Sequence, residues 1–155
     1  MSVKPEYPAS NPAVQSHLTI LQSVVTRMAT NSASCKAWCI TLVSAIILLV
    51  ADKGKPQFCC LALIPAVLFL FLDAYYLALE RVFRRSYEGF VRKVHQGKVM
   101  EDDLFEVKPS GSFGKAFFAS LMSPSVWPFY VTLIGVALLT LVITLPQQGT
   151  GGSHP

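Results

Sequence analysis

Charge is scarce in this sequence: Asp, Glu, Lys and Arg make up 14% of its 155 residues, against 52% hydrophobic ones. A soluble domain usually carries about a quarter charged residues. An ordinary water-soluble fold is therefore excluded, and the mean hydropathy of +0.48 points to a membrane protein. Histidine is scarce too. His17, His95 and His154 stand alone, there is no Gly-rich phosphate loop, and no carboxylate pair shares a cleft-like stretch, so neither an enzyme nor a bound cofactor is expected. The opening residues, MSVKPEYPASNP, lack a charged stretch followed by an apolar run, and no cleavable signal peptide is expected.

What the chain does have is long apolar runs. The stretch organising the rest begins at Phe58 as FCCLALIPAVLFLFLDAYYLALE and continues to Gly97 as RVFRRSYEGFVRKVHQG. Residues 58–77 are apolar enough to span a bilayer, with only Asp73 charged, and residues 78–97 are too charged to remain in one. The expectation is one helix that crosses the membrane and projects into the cytoplasm, with a kink at Pro65. On the projecting half Glu80, Arg84, Glu88 and Arg92 alternate in sign at i,i+4, while Tyr76, Leu79, Phe83, Phe90 and Val94 keep an apolar face. Tyr76, Phe83, Arg84, Glu88, Phe90 and Arg92 are thus the candidate contacts of this helix.

Two further runs match it. Residues 35–51, CKAWCITLVSAIILLVA, form a short span, and residues 126–145, VWPFYVTLIGVALLTLVITL, carry no charge. Three transmembrane helices are expected. Arg27 and Lys36 precede the first, and Arg81, Arg84, Arg85, Arg92 and Lys93 follow the second, against Lys53 and Lys55 in the turn between them. The positive-inside rule puts the N-terminus in the cytoplasm and the C-terminus outside. Trp38, Tyr75, Tyr76, Trp127 and Tyr130 then fall near the inner interface. The formal charge of +4 suits anionic headgroups, and nucleic acid is not expected as a partner. Cys35 and Cys39 lie near one end of their span and Cys59 and Cys60 at the opposite face, which excludes disulfides between the pairs within one protomer.

Taken in order, residues 1–11 read as disordered. Asn11 and Pro12 start a helix over 12–31 whose Val14, Leu18, Leu21, Val25 and Met28 make an apolar stripe. This amphipathic helix either lies on the headgroups or docks on the projecting half of the second helix. The short turn DKGKPQ makes the first two spans an antiparallel hairpin. Lys36 and Asp73 stand equally far from its two edges and so at one depth. An intramembrane charge is costly alone, so an ion pair is predicted, the alternative for Lys36 being to snorkel to the headgroups. Residues 98–122 read as a loop with an interfacial segment from Lys115, the acidic run Glu101, Asp102 and Asp103 being solvated. On the last span Thr132, Val136, Thr140 and Thr144 share an i+4 row that either packs or lines a pore. Residues 146–155, Gly-rich, read as a disordered tail.

His17-Leu18-Thr19-Ile20, Gln22, Arg27-Met28, Asn31-Ser32, Lys36, Trp38 and Thr41-Leu42-Val43 are followed by Phe71-Leu72-Asp73-Ala74-Tyr75-Tyr76-Leu77, Glu80-Arg81 and Phe83-Arg84, with Pro128-Phe129-Tyr130 later. In this signature the chain resembles a group of small bacterial three-span membrane proteins, some of them similar to accessory membrane proteins of antiphage systems, including the pore-forming partner of type VI-B CRISPR effectors. That partner has been likened to ribonuclease folds of an Arg/His type, whose motif is missing here: residues 88–90, which would supply the Arg for His95, are Glu, Gly and Phe. The resemblance implies an oligomeric inner-membrane effector that permeabilises or depolarises the membrane. The alternative is a membrane-anchored module that recruits or regulates a cytosolic defence protein. In either reading the fold is an all-α integral membrane protein and the partners are the lipid bilayer and further copies of the chain.

Overall fold

The computed structural model describes residues 7–53 and 56–144. Helix accounts for 82% of them, and there is no strand among the described residues. The first six residues, the centre of the DKGKPQ turn and the tail lie outside the described residues, and with them the disorder expected for the tail and for residues 1–6. Residues 7–11, also expected to be disordered, instead form a turn in which the Asn11 amide donates to the Pro8 carbonyl at 2.9 Å and Tyr7 packs on the core.

Helix α1 runs from Pro12 to Lys53. Its start is capped as the residues require: the Asn11 side-chain oxygen accepts from the Ala13 amide at 2.9 Å, and Pro12 occupies the first helical position, where an amide hydrogen would have no partner. The separate helix over 12–31 and span over 35–51 are in fact one element. Asn31, Ser32 and Ser34 are indifferent helix formers, but no Gly or Pro stands among them to stop the helix.

A 3-10 turn, Pro56–Ala62, leads into α2, Leu63–His95. The expected kink at Pro65 does not occur inside a helix, because α2 begins only two residues earlier. In the first turn amides have no intrahelical acceptor, so proline costs no hydrogen bond there. From Pro65 onwards α2 is unbroken across the change from apolar to charged sequence. It ends in a Schellman arrangement: Gly97 takes φ 62°, its amide donates to the Val94 carbonyl at 3.1 Å, and the Lys98 amide donates to the Lys93 carbonyl at 3.0 Å. Arg92, Lys93 and His95 in the last turn suit the negative end of the helix dipole. A 3-10 turn at Glu101–Asp103, helix α3 at Phe113–Leu121 and helix α4 at Trp127–Thr144 complete the chain, so the stretch expected as loop is partly helical.

Among the described residues two helices are long and apolar enough to cross a membrane: α1, and the helical stretch Cys60–His95 that contains α2. The apolar helix near the C-terminus, α4, is shorter.

The chain divides into two compact units. One, Met1–Asn31 with Tyr75–Ser120, is built on the first part of α1 and the charged part of α2. Val14 and Leu21 of α1 meet Phe90 of α2 and Val99, with Tyr7, Leu18, Tyr87, Val94, Leu104 and Val107 packed around them. The α1 stripe and the α2 stripe thus cover one another, and each fully buried Val or Leu contributes about 1.5–3 kcal/mol. In a second cluster Ala78 and Val82 of α2 receive Ala116 and Phe117 of α3, small residues allowing the close approach. The other unit, Ser32–Ala74 with Leu121–Pro155, contains the apolar part of α1, the start of α2 and α4. Here the 3-10 turn packs against α4. Its outward positions are apolar: Leu48, Leu49, Ile64, Leu68, Leu139 and Val142 are all exposed.

Candidate functional site

In the apolar unit one carboxylate is wholly inaccessible. Asp73 of α2 is 0% exposed, and the Lys36 ammonium of α1 meets its Oδ2 at 2.6 Å. Ser32 lies one helical turn before Lys36, on the same face of α1, and its hydroxyl donates to Asp73 Oδ1. Lys36 Nζ also reaches the Ser32 hydroxyl at 3.4 Å. The third wall is α4. Tyr130, 1% exposed, donates its hydroxyl to the Phe69 carbonyl at 2.9 Å, one turn before Asp73 on α2, and faces the Asp73 carboxylate. The thiols of Cys35 and Cys39, both buried and free, complete the surroundings, and Cys39 Sγ lies 3.9 Å from the Pro65 carbonyl.

The physics of this cluster is one-sided. A carboxylate so far from water needs its charge matched: the Lys36 ammonium does this beside Oδ2, and Ser32 donates to Oδ1, while Oδ2 itself accepts no well-aligned hydrogen bond. Lys36 keeps 23% of its side chain accessible, so the alternative of reaching outward is open to it and not to Asp73. The cluster is therefore an ion pair with one enclosed and one partly accessible member.

The other expected positions distribute differently. Of the alternating ladder on α2 only the first rung is formed, Arg84 to Glu80 at 2.5 Å; Glu88 and Arg92 are exposed. Phe90 is buried against α1, whereas Tyr76 and Phe83 are half-buried, Tyr76 edge-on to Tyr75. Arg84 and Glu88 instead join Tyr87 of α2 and Gln22, Val25 and Thr26 of α1 around a cavity of about 400 Å³. In the α4 row, the hydroxyls of Thr132 and Thr140 donate to the carbonyls of Pro128 and Val136 at 2.7 and 2.9 Å, and Val136 is exposed. The Thr144 side chain lies outside the described residues. Threonines bonded back onto their own helix present methyl groups outward, which suits packing better than a wetted lining.

Three contributors are not marked as site residues by spacing. Ser32 is within reach of inference, being one turn from Lys36. Tyr130 gives no local signal. His17, isolated in the sequence, is 1% exposed in the other unit, its ring 4.3 Å from that of Phe90. Its Nδ1 accepts the Phe105 amide at 2.9 Å. The signal that could have found it is its place on the stripe of Val14, Leu18 and Leu21. Nearby, Asp103 is not simply solvated: it pairs with Lys93 at 2.5 Å and accepts the Met100 amide at 3.1 Å. Among the described residues no group of three His, Cys, Asp or Glu side chains comes together that could hold a metal ion. No family model, curated protein or solved structure matches the chain.

Proposed function

We propose that this protein is an oligomeric effector of the bacterial inner membrane that permeabilises or depolarises it in antiphage defence. In this reading α4 is a third span beside the two long helices, the N-terminal part of α1 is a cytoplasmic amphipathic segment, and the C-terminus lies outside. At 1.5 Å per residue α4 extends about 27 Å, close to the hydrocarbon thickness of a bilayer.

The observation that carries the reading is the Lys36–Asp73 ion pair, its carboxylate fully buried among helices whose outward faces are apolar. Intramembrane charges are expensive and are characteristic of parts that move ions or change state. Such a pair offers two states, closed with Lys36 on Asp73, and open with Lys36 turned to the headgroups or to a second copy. The resemblance in the HLTI and FLDAYYL signatures points to the same class of protein. The test is the membrane potential of cells expressing the chain, read with a voltage-sensitive dye, with and without phage. Depolarisation by the wild type, altered by Asp73→Asn while membrane insertion is unchanged, supports the effector. An unchanged potential in every condition, with the protein in the membrane, overturns it.

One observation favours the second reading, a membrane-anchored module for a cytosolic defence protein. The cavity between Gln22, Val25 and Thr26 of α1 and Arg84, Tyr87 and Glu88 of α2 offers both charges and an aromatic ring to a partner. Reversing Arg84, Glu88 and Arg92 together abolishes function in an anchor and spares a pore.

A further inference from the structure

The residues from Lys98 to Ser112 join α2 to α3 and lie across the α1–α2 pair of their unit, with Leu104 and Val107 on its core. Polar contacts tie this strap to the two helices at Ser86, Lys93 and His17. Ser86 donates its hydroxyl to the Lys108 carbonyl at 2.7 Å, Lys93 pairs with Asp103, and the buried Nδ1 of His17 accepts the Phe105 amide at 2.9 Å. Phe105 itself sits at φ 63°, a left-handed conformation that is costly for an aromatic residue and persists only where its surroundings impose it.

From these contacts we infer that His17 is a pH-sensitive latch, holding the strap onto α1 and α2 while neutral and releasing it when protonated. A proton on Nδ1 turns the acceptor into a donor facing another donor. The Phe105 amide then loses its partner, a cation is left in a site 1% exposed, and the strain at Phe105 favours departure. Charges of both signs surround the imidazole. Lys93 of α2 and Lys108 of the strap oppose a positive charge on it, while Asp103 and Glu106 of the strap favour one. Of these Lys93 is paired with Asp103 and Lys108 with Glu106, so the four largely cancel. Among the described residues of α1 no charged side chain faces the ring, and Tyr7 and Tyr87 pack on the same core.

Burial pushes the imidazole below its ordinary range, only partly offset by the attraction of Asp103. The sign follows. A base whose pKa is lower when the strap is docked favours docking while neutral, and this contribution is lost as pH falls from about 6.5 through the lowered value. Asp103 responds in a separate window. Burial alone would raise its pKa, but the hydrogen bonds from Lys93 and the Met100 amide, with the charges of Lys93 and His17, hold it below the usual carboxylate range.

The latch is independent of the effector reading, and its test does not use membrane potential. Hydrogen–deuterium exchange is followed across residues 98–112 in the full chain in nanodiscs from pH 7.5 to 5, corrected for the intrinsic pH dependence of exchange. Protection in the wild-type strap should fall by up to about tenfold per pH unit below about 6.5, the limit for one proton, while the middle of α2 stays protected. His17→Asn, whose side-chain oxygen can accept the same amide but does not titrate, should keep the strap protected at both ends of the range. His17→Phe, which cannot accept, should leave it unprotected at both. A wild-type strap indifferent to pH, or an acid response retained in His17→Asn, overturns the proposal.

Discussion

The two units use the same pair of helices and the same chemistry of attraction, yet charge plays opposite parts in them. In the charged unit Lys93 and Asp103 meet at 2.5 Å with 51% and 23% of their side chains exposed. In the apolar unit Lys36 and Asp73 meet at 2.6 Å with 23% and 0% exposed. The separations are alike; the solvent is not. Around the first pair water screens the attraction and already solvates each partner, so little is lost when the pair breaks. Around the second, whichever partner remains must find new solvation or stay buried and unpaired. The lesson is that burial, rather than distance, decides which ion pair governs the protein.

Breaking the buried pair gives the largest expected effect, and it should be asymmetric. Lys36→Met leaves the inaccessible Asp73 unmatched and should cost about 3–5 kcal/mol in thermal or denaturant unfolding in detergent. Asp73→Leu leaves a lysine with a path outward and should cost less, and the double variant should recover most of the loss. Equal penalties for the two single variants would show that Lys36 is as confined as Asp73. Next is the apolar core of the charged unit, where Leu21→Ala should destabilise by about 2–5 kcal/mol, with exchange rising over α1 and the strap together. Tyr130→Phe in the apolar unit removes one hydroxyl from a carbonyl that retains its helical bond, so about 1 kcal/mol is expected from the same unfolding measurement. Smallest is Arg84→Ala, which breaks the exposed rung to Glu80. It should change stability by less than about 0.5 kcal/mol, and by less still in high salt. An effect of Arg84→Ala as large as that of Lys36→Met would dissolve the contrast between the units.

The ease of reading the sequence follows the same division. The Lys36–Asp73 pairing is legible because a short turn ties the two runs into a hairpin, and equal distance from the turn then means equal depth. The mutual cover of the Val14–Leu21 stripe and Phe90 is legible in part, docking being one of two options that periodicity leaves open. The charged ladder misleads beyond its first rung. Glu88 and Arg92 have the right spacing, but at an exposed surface hydration competes with pairing, and spacing alone does not decide the outcome. Pro65 reads as a kink only when the helix start is placed too early, since its effect depends on whether it falls in the first turn or beyond it.

What the residues determined by themselves is local: the helical elements, the Asn11 cap, the glycine stop at Gly97 and the apolar runs long enough for a membrane. Each follows from hydrogen bonds or periodicity within a few positions of the chain. What only the tertiary structure decided is which polar groups meet. Tyr130 comes to Asp73, and His17 to the amide of Phe105 88 positions away, through the rotation of helices and the path of a strap. Those rotations are set by the packing of whole faces, a sum over many small contacts that no single spacing in the sequence records.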